Sequence, residues 1–385
     1  MTEKLYDKDA YLSEFTATVL DCISVDGGYD VILDRTAFFP EGGGQYGDAG
    51  AMDGIPVTDT QIREGTVLHR TPEPLSPGKT VSCALAWEER FRRMQNHSGE
   101  HIVSGIVHTR FGYENVGFHL SDGEMTMDYS GELTEADLLS VEREANRAVE
   151  ENRRILCRYP DPEELKTLQY RSKKELNEAV RIVTVDGIDT CACCAPHVRN
   201  TGEIGGIYIL SSMRWKGGTR ITVRCGRDAY EEYCSLRQDE RELSRLLSAP
   251  RGQIFPAAER LQKDYTDLRR QYNLVLKENA LLKLSSQSSV SGNLCFLSPS
   301  PEADVMRAVA NEGCKKCTGL FVCLSGTDGE GYRYVISSSV PGLRGRAREI
   351  NAALSGRGGG SDTMIQGSFS APIQTIQDYF KEFTI

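Results

Sequence analysis

The sequence predicts an α+β fold in four parts. These are a small N-terminal β-barrel, a mixed α+β core, a long coiled-coil-like helical linker and a C-terminal α/β glycine-rich domain. Three observations carry the prediction. Short β-favouring runs broken by Gly, Pro and Asp fill residues 1–86. Helical and strand patterns alternate over 87–227. A heptad seam then leads through a Ser-rich stretch into another α/β pattern over 292–385. At roughly 100–200 residues per domain, 385 residues hold two to four domains.

In the first part, the runs 16–20, 29–33 and 80–85 are separated by Asp-Gly-Gly, Pro-Glu-Gly-Gly-Gly and Ser-Pro-Gly, the spacing of a small barrel. A helix is predicted from Trp87 to about Thr109, with Phe91, Met94, Ser98, Ile102 and Ile106 along one side. A hairpin-like stretch follows. Thr134 with Asp137 three residues on then marks a helix start, running to about Glu151. Strands are expected at 181–185, 207–210 and 219–223.

Residues 228–291 read as the helical linker. Leu261, Tyr265, Leu268, Tyr272, Val275, Asn279 and Leu282 alternate by four and three, a seam that suits an intramolecular helical hairpin or an intermolecular coiled coil. Ser285–Gly292 reads as a low-complexity linker. Beyond it, strands at 320–324 and 332–336, a helix through 346–354 and a glycine loop at Gly356–Gly360 complete the chain.

Composition narrows the function. With 45 basic and 55 acidic residues the net charge is −10, which argues against nucleic-acid binding through bulk positive charge. Such a role needs a local basic patch or recognition of a shaped end. No apolar run approaches the ~18 residues of a membrane span, and the polar N-terminal segment lacks a secretory core, so a soluble, cytoplasmic protein is expected. Of twelve cysteines, Cys191, Cys193 and Cys194 fall within four residues, which in a reducing compartment points to metal or redox chemistry.

His97-Ser-Gly-Glu-His101 places two imidazoles one helical turn apart on one face. Cys193-Cys-Ala-Pro-His197 offers a thiolate and a third imidazole. Together His97, His101, Cys193 and His197 make a three-nitrogen, one-sulfur set suited to tetrahedral Zn²⁺, with Cys191 and Cys194 as substitute ligands. Four protein ligands describe a closed structural site, whereas a catalytic zinc keeps a position open; spacing does not choose between them. The segment 97–101 also matches H-x-x-E-H, the inverted zinc-peptidase pattern in which Glu100 is the base, but such an enzyme needs neither Cys193 nor His197.

Gly42-Gly43-Gly44-Gln45 lies in the densest glycine segment of the first part, following Thr36. It reads either as a tight turn or as backbone that lets a ligand approach, and no Gly-Lys-Ser/Thr follows to make it a phosphate loop. Near the C-terminus, Arg344, Arg346, Arg348 and Arg357 gather around the glycine loop with Glu349 the only acid over 341–360, a phosphate-contact surface or a solvated helix face.

These signals converge on a resemblance. Thr36…Pro40-Glu-Gly-Gly-Gly-Gln45…Gly47-Asp48, Asn96-His97-x3-His101 and Cys193-x3-His197-Val-x2-Thr201-Gly-Glu-Ile-Gly205 resemble the editing half of alanyl-tRNA synthetase and the free-standing alanyl-tRNA editing (AlaX) proteins. Arg357-Gly-Gly-Gly360…Gln366-Gly367 resembles the synthetase's C-terminal domain. No segment resembles the ATP-dependent aminoacylation core, so the long free-standing type is implied.

The resemblance implies a zinc-bearing deacylase that removes serine, or glycine, from mischarged tRNA(Ala). It gives Thr36 the serine hydroxyl, and Gln45 and the Gly42–Gly44 amides the terminal ribose or ester. It assigns tRNA contacts to the four arginines and a homodimer to the C-terminal region. Where the family usually reads Cys-Gly-Gly-Thr-His, this chain has Cys193-Cys-Ala-Pro-His197, which changes backbone freedom and removes a hydroxyl. The alternatives are a non-catalytic zinc-containing tRNA-binding protein and the zinc peptidase.

Overall fold

In the computed structural model, which describes residues 2–121, 124–172 and 180–384, one antiparallel sheet gathers seven early strands. They are β1 (Glu14–Val25), β2 (Gly28–Leu33), β3 (Gly50–Met52), β4 (Ile55–Val57), β5 (Asp59–Arg63), β6 (Thr66–Thr71) and β7 (Thr80–Leu85). Their order is β4-β3-β7-β1-β2-β6-β5. The edge strands β4 and β5 are consecutive in the chain, so the sheet curls into a nearly closed barrel. Every second residue of β6 and β7 is buried, the two-residue period of a one-sided strand. A bulge between Val19 and Asp21 bends β1, whose first half pairs with β7 and second half with β2. Val31, Leu33, Phe38, Met52 and Val81 fill the interior.

Helix α1 (Trp87–Phe111) follows and ends on Gly112 in the left-handed region, whose N–H donates to His108 O. The predicted side is buried at Met94, Ser98, Ile102 and Ile106, but so is nearly every residue from Met94 to Val107. One helix face cannot explain that; α1 is enclosed. The sheet β8 (Asn115–Ser121), β9 (Glu124–Tyr129), β13 (Ile207–Trp215), β14 (Gly218–Cys225), in order β8-β9-β14-β13, shares one core with it and with α2 (Glu135–Glu150). A small sheet of β10 (Ile155–Arg158), β11 (Ile182–Val185) and β12 (Asp189–Ala192) adjoins α1 through β12. Gly99 makes the enclosure close: a Cβ there would sit 2.3 Å from Cys225 Sγ. The predicted capping box opens α2, Thr134 Oγ1 accepting from Asp137 N at 3.2 Å and Asp137 accepting from Thr134 N at 2.9 Å.

The chain divides into two units, Met1–Glu240 and Arg241–Ile385, so barrel and core share the first. The stretch read as one helical linker is two helices, α3 (Gly226–Leu246) and α4 (Ile254–Ser285), with a break at 247–253 that contains Pro250 and Gly252.

The second unit orders its strands β15-β16-β17-β19-β18, from β15 (Leu294–Leu297), β16 (Leu320–Thr327), β17 (Gly331–Ser338), β18 (Gly356–Gly360) and β19 (Met364–Phe369). Helices α5 (Ala303–Gly313), α6 (Leu343–Ala353) and α7 (Ile373–Glu382) complete it. One expectation is corrected here. Gly356–Gly360 is not a loop but the edge strand β18, its backbone paired with β19 from Gly356↔Phe369 to Gly360↔Ile365. The Ser-rich stretch is tied to Lys316, whose Nζ donates to Ser285 O and Gln287 O at 2.8 and 2.7 Å, and Val290 N donates to Lys316 O. No helix among the described residues is long and apolar enough to cross a membrane.

Candidate metal centre

Helix α1 and the turn after β12 bring four ligand-type groups together. The ligand atoms of His97, His101, Cys193 and His197 all lie within 4.8 Å of one another. The one-turn spacing points both α1 imidazoles at the 193–197 turn. Arg181 Nη1 holds that turn by donating to Cys193 O and Ala195 O at 3.0 and 2.8 Å. The three imidazoles are buried, and Cys193 Sγ lies 3.5 Å from both His97 Nε2 and His197 Nε2.

Each imidazole is held from behind by its other nitrogen. His97 Nδ1 donates to Gln45 Oε1 at 2.9 Å and His101 Nδ1 to Asp189 Oδ2 at 2.9 Å, while His197 Nδ1 lies 3.1 Å from Ser98 Oγ. The contacts to Gln45 Oε1 and Asp189 Oδ2, which can only accept, fix the tautomer of His97 and His101 that leaves their Nε2 lone pairs facing the centre. Burial, reinforced by the neighbouring His101 and His97, holds the His197 pKa well below its ordinary value, so the ring is neutral and ready to ligate. Burial pushes the Cys193 thiol up. The donors fit a zinc ion: bonds of ~2.0–2.1 Å to nitrogen and ~2.3 Å to sulfur in a tetrahedron separate N from S by about 3.5 Å.

The substitutes fit less well. Cys194 is exposed and faces the glycine segment, where a Cβ on Gly43 would lie 3.4 Å from its Sγ. Cys191 groups with His101 and Asp189, but Arg171 already places its guanidinium on Asp189. Glu100, the base of the peptidase pattern, is buried, its Oε1 accepting from Ser104 Oγ at 2.8 Å and Asn115 Nδ2 at 2.7 Å.

Comparison with known proteins sets this centre in context. The family described as "Threonyl and Alanyl tRNA synthetase second additional domain" matches residues 180–222, which include Cys193 and His197. The rat alanyl-tRNA editing protein Aarsd1 is 26% identical, over 97% of this chain and 97% of its own length. The Pyrococcus horikoshii alanyl-tRNA editing protein AlaX-L is 27% identical, over 98% and 97%. The chain is similar to these free-standing alanyl-tRNA editing proteins along nearly its whole length. An alanine–tRNA ligase of Halobacterium salinarum is 35% identical over 69% of this chain but only 30% of its own. Among solved structures, the C-Ala domain of Aquifex aeolicus alanyl-tRNA synthetase matches 24% of this chain and 89% of its own at 21% identity, with a TM-score of 0.19.

The motif residues singled out in the sequence fall on both sides of the centre. Gly42 and Gln45 exchange backbone hydrogen bonds at 3.0 and 3.1 Å, closing a tight turn with Gly43 and Gly44 at φ +63° and +84°. A side chain on Gly44 would strike Phe118, at 2.6 Å from Cδ1, and the Phe118 ring packs on His97 with centroids 4.8 Å apart. The turn is thus pressed against the centre. Gln45 is buried, its oxygen taken by His97 while its Nε2 has no hydrogen-bond partner among the described residues.

Thr36 is wholly buried beside the barrel core. His69 Nδ1 lies 2.9 Å from Val31 O, which can only accept, so neutral His69 accepts at Nε2 and Thr36 donates its hydroxyl proton there (2.8 Å). Phe38 N donates to Thr36 Oγ1 at 3.1 Å.

In the second unit, Arg344, Arg346 and Arg348 lie on α6, which packs beside β18 and its Arg357. Arg344, Arg348 and Arg357 are exposed, while Arg346 pairs with Glu349 at 3.1 Å and covers the Phe383 ring.

Sequence reasoning gave no role to Arg90. It lies among Glu88, Glu89, Arg92 and Arg93, off the side marked by Phe91, Met94, Ser98, Ile102 and Ile106. The structure buries it. Arg90 pairs with Asp48, which also accepts from Phe39 N at 2.6 Å, and donates to Ala37 O at 2.6 Å and Ala10 O at 3.0 Å. Asp189 and Arg171 were missed as well.

Proposed function

We propose that the chain is a trans-editing hydrolase that deacylates mischarged tRNA(Ala), chiefly Ser-tRNA(Ala), with Gly-tRNA(Ala) as a second substrate. The observation that carries this reading is the convergence of three imidazoles and a thiol against a glycine turn whose buried Gln45 Nε2 has no hydrogen-bond partner among the described residues. The full-length similarity to alanyl-tRNA editing proteins supports the same substrate. The physical need is plain: an alanine-sized pocket cannot strongly exclude a close neighbour by contacts alone, so a second sieve must remove it by hydrolysis.

In this reading His97, His101, Cys193 and His197 hold one Zn²⁺. The chemistry such an ion supplies when bound is polarisation of an ester carbonyl and activation of water. Gln45 Nε2 donates to the terminal ribose or ester, and the Gly42–Gly44 backbone shapes the approach. Thr36, its own proton committed to His69, accepts from the serine hydroxyl; an alanyl ester offers nothing there. The family's Gly-Gly-Thr is replaced here by Cys194-Ala195-Pro196, and Ala195 packs with Tyr6 and Phe39. This is consistent with a turn held by packing and by Arg181.

The finer organisation follows the same reading. Residues 1–86 serve as barrel, 87–227 as editing core, 228–291 as helical linker and 292–385 as the tRNA-binding and oligomerisation domain. Arg344, Arg346, Arg348 and Arg357 contact tRNA phosphates, and a homodimer forms through the C-terminal region. The protein works in the cytoplasm.

The test is incubation of the purified chain with seryl-, glycyl- and alanyl-tRNA(Ala), with and without a zinc chelator. We expect release of serine, slower release of glycine, retention of alanine, and loss of activity on chelation. Thr36→Val should lower the seryl-over-alanyl preference about tenfold, the worth of one hydrogen bond; an unchanged preference removes Thr36 from discrimination. One observation favours a second reading. The four ligands close a tetrahedron, as in structural zinc sites. Tight tRNA binding without deacylation would establish that non-catalytic role.

A further inference from the structure

The three imidazoles of the centre are not held alike. Gln45 and Ser98, behind His97 and His197, are neutral, whereas His101 is held by a carboxylate. Asp189 is 2% exposed at its side chain and receives both arms of Arg171, Nε on Oδ1 and Nη2 on Oδ2, each at 2.8 Å. The Arg171 side chain is itself 9% exposed. Its backbone is tied to the same strand: Arg171 N donates to Thr190 O and Ala192 N donates to Arg171 O, both at 2.9 Å. Strand β12 therefore begins with the residue that orients His101, is gripped along its length by Arg171, and delivers Cys193 directly after its last residue.

We propose that Arg171 and Asp189 are positioning residues that act together through His101 and Cys193 to set the affinity and geometry of the metal centre. The inference rests on the metal-site reading above and deepens it.

A buried carboxylate behind a ligating imidazole fixes the ring's tautomer and plane and makes the opposite nitrogen a better donor. An unpaired carboxylate there would be costly, and the guanidinium makes it tolerable. The two-pronged contact also locks both carboxylate oxygens, which a lysine ammonium, a point charge on a flexible stem, does not do. A pair serving stability alone has no reason to join the strand that carries one ligand to the ring of another.

The test uses the full chain loaded with one equivalent of Zn²⁺ or Co²⁺. Zinc affinity is measured by competition with a chromophoric chelator, and ligand geometry by the visible absorption of the cobalt form. Asp189→Asn should weaken zinc binding about 10–100-fold and shift the cobalt bands. Arg171→Lys, which keeps the charge and loses the fork, should weaken binding less and move the bands in the same direction. The far-ultraviolet circular dichroism of both metal-free variants should match the parent. Parent-like affinity and spectrum in Asp189→Asn overturn the proposal. Should Asp189→Asn fail to fold, parent-like values in Arg171→Lys overturn it. A parent chain that takes up neither ion overturns the underlying metal-site reading instead, which separates the two failures.

Discussion

His69 ties the Thr36 hydroxyl to the stability of the barrel. It is enclosed in the barrel between Val31 O and the Thr36 hydroxyl, and burial lowers its pKa to about 4 from the ordinary 6.5. The unfolded chain therefore binds a proton that the folded chain refuses. The stability owed to neutral His69 is complete above pH ~6.5, declines as pH falls toward 4, and is fully lost below that. The difference corresponds to about 3 kcal/mol. His69→Gln should flatten the part of the unfolding free-energy profile between pH 6.5 and 4, measured by urea denaturation. A slope identical to the parent's would mean that His69 is not the titrating group. At this scale the cluster of His97, His101, Cys193 and His197 was the most legible feature, because the four-residue spacings 97–101 and 193–197 are local chemistry. Asp189 and Arg171 were not legible: their partners are distant in sequence, and a single Asp or Arg carries no periodic signal.

Between elements, the Arg90–Asp48 pair joins α1 to the segment that carries the glycine turn. Asp48 closes the 36–48 stretch by accepting from Phe39 N, and Arg90 lies two turns before His97 on the same helix. Both side chains are almost wholly buried, at 1% and 2% exposure. Breaking a buried pair from one side leaves an uncompensated charge, at a cost of about 3–5 kcal/mol. Arg90→Met should destabilise the chain by that amount in chemical denaturation, and a loss below 1 kcal/mol would contradict the clamp. The neutral double variant Arg90→Met/Asp48→Asn should recover part of the loss. Most elements were read correctly from the sequence, since strand alternation and the Thr134 capping box are local codes. The enclosure of α1 was not, because burial on all sides depends on what other elements cover. The glycine strand β18 was also misread: glycine is a poor strand former, and only pairing with β19 supplies its hydrogen bonds.

At the scale of the whole molecule, α4 is a 32-residue helix whose seam is open to solvent. Leu261, Tyr265, Leu268, Tyr272, Val275 and Leu282 are each at least 58% exposed. The heptad spacing was legible; what covers it was not, because the spacing suits an intramolecular hairpin and an intermolecular coiled coil alike. The proposed dimer through the C-terminal region predicts that light scattering gives twice the chain mass for the parent and the monomer mass for a truncation before Ser285. A monomeric parent would remove it. The chain divides into two units, with barrel and core in the first, and the buried Arg90–Asp48 pair joins those two in a way that composition does not show.

X-ray absorption at the zinc edge of the purified protein tests most directly whether one cation is held by side chains ninety-odd residues apart. The prediction is one zinc per chain with three nitrogen neighbours at ~2.0–2.1 Å and one sulfur at ~2.3 Å, the sulfur vanishing in Cys193→Ser. A shell without sulfur in the parent, or one unchanged by Cys193→Ser, would contradict it.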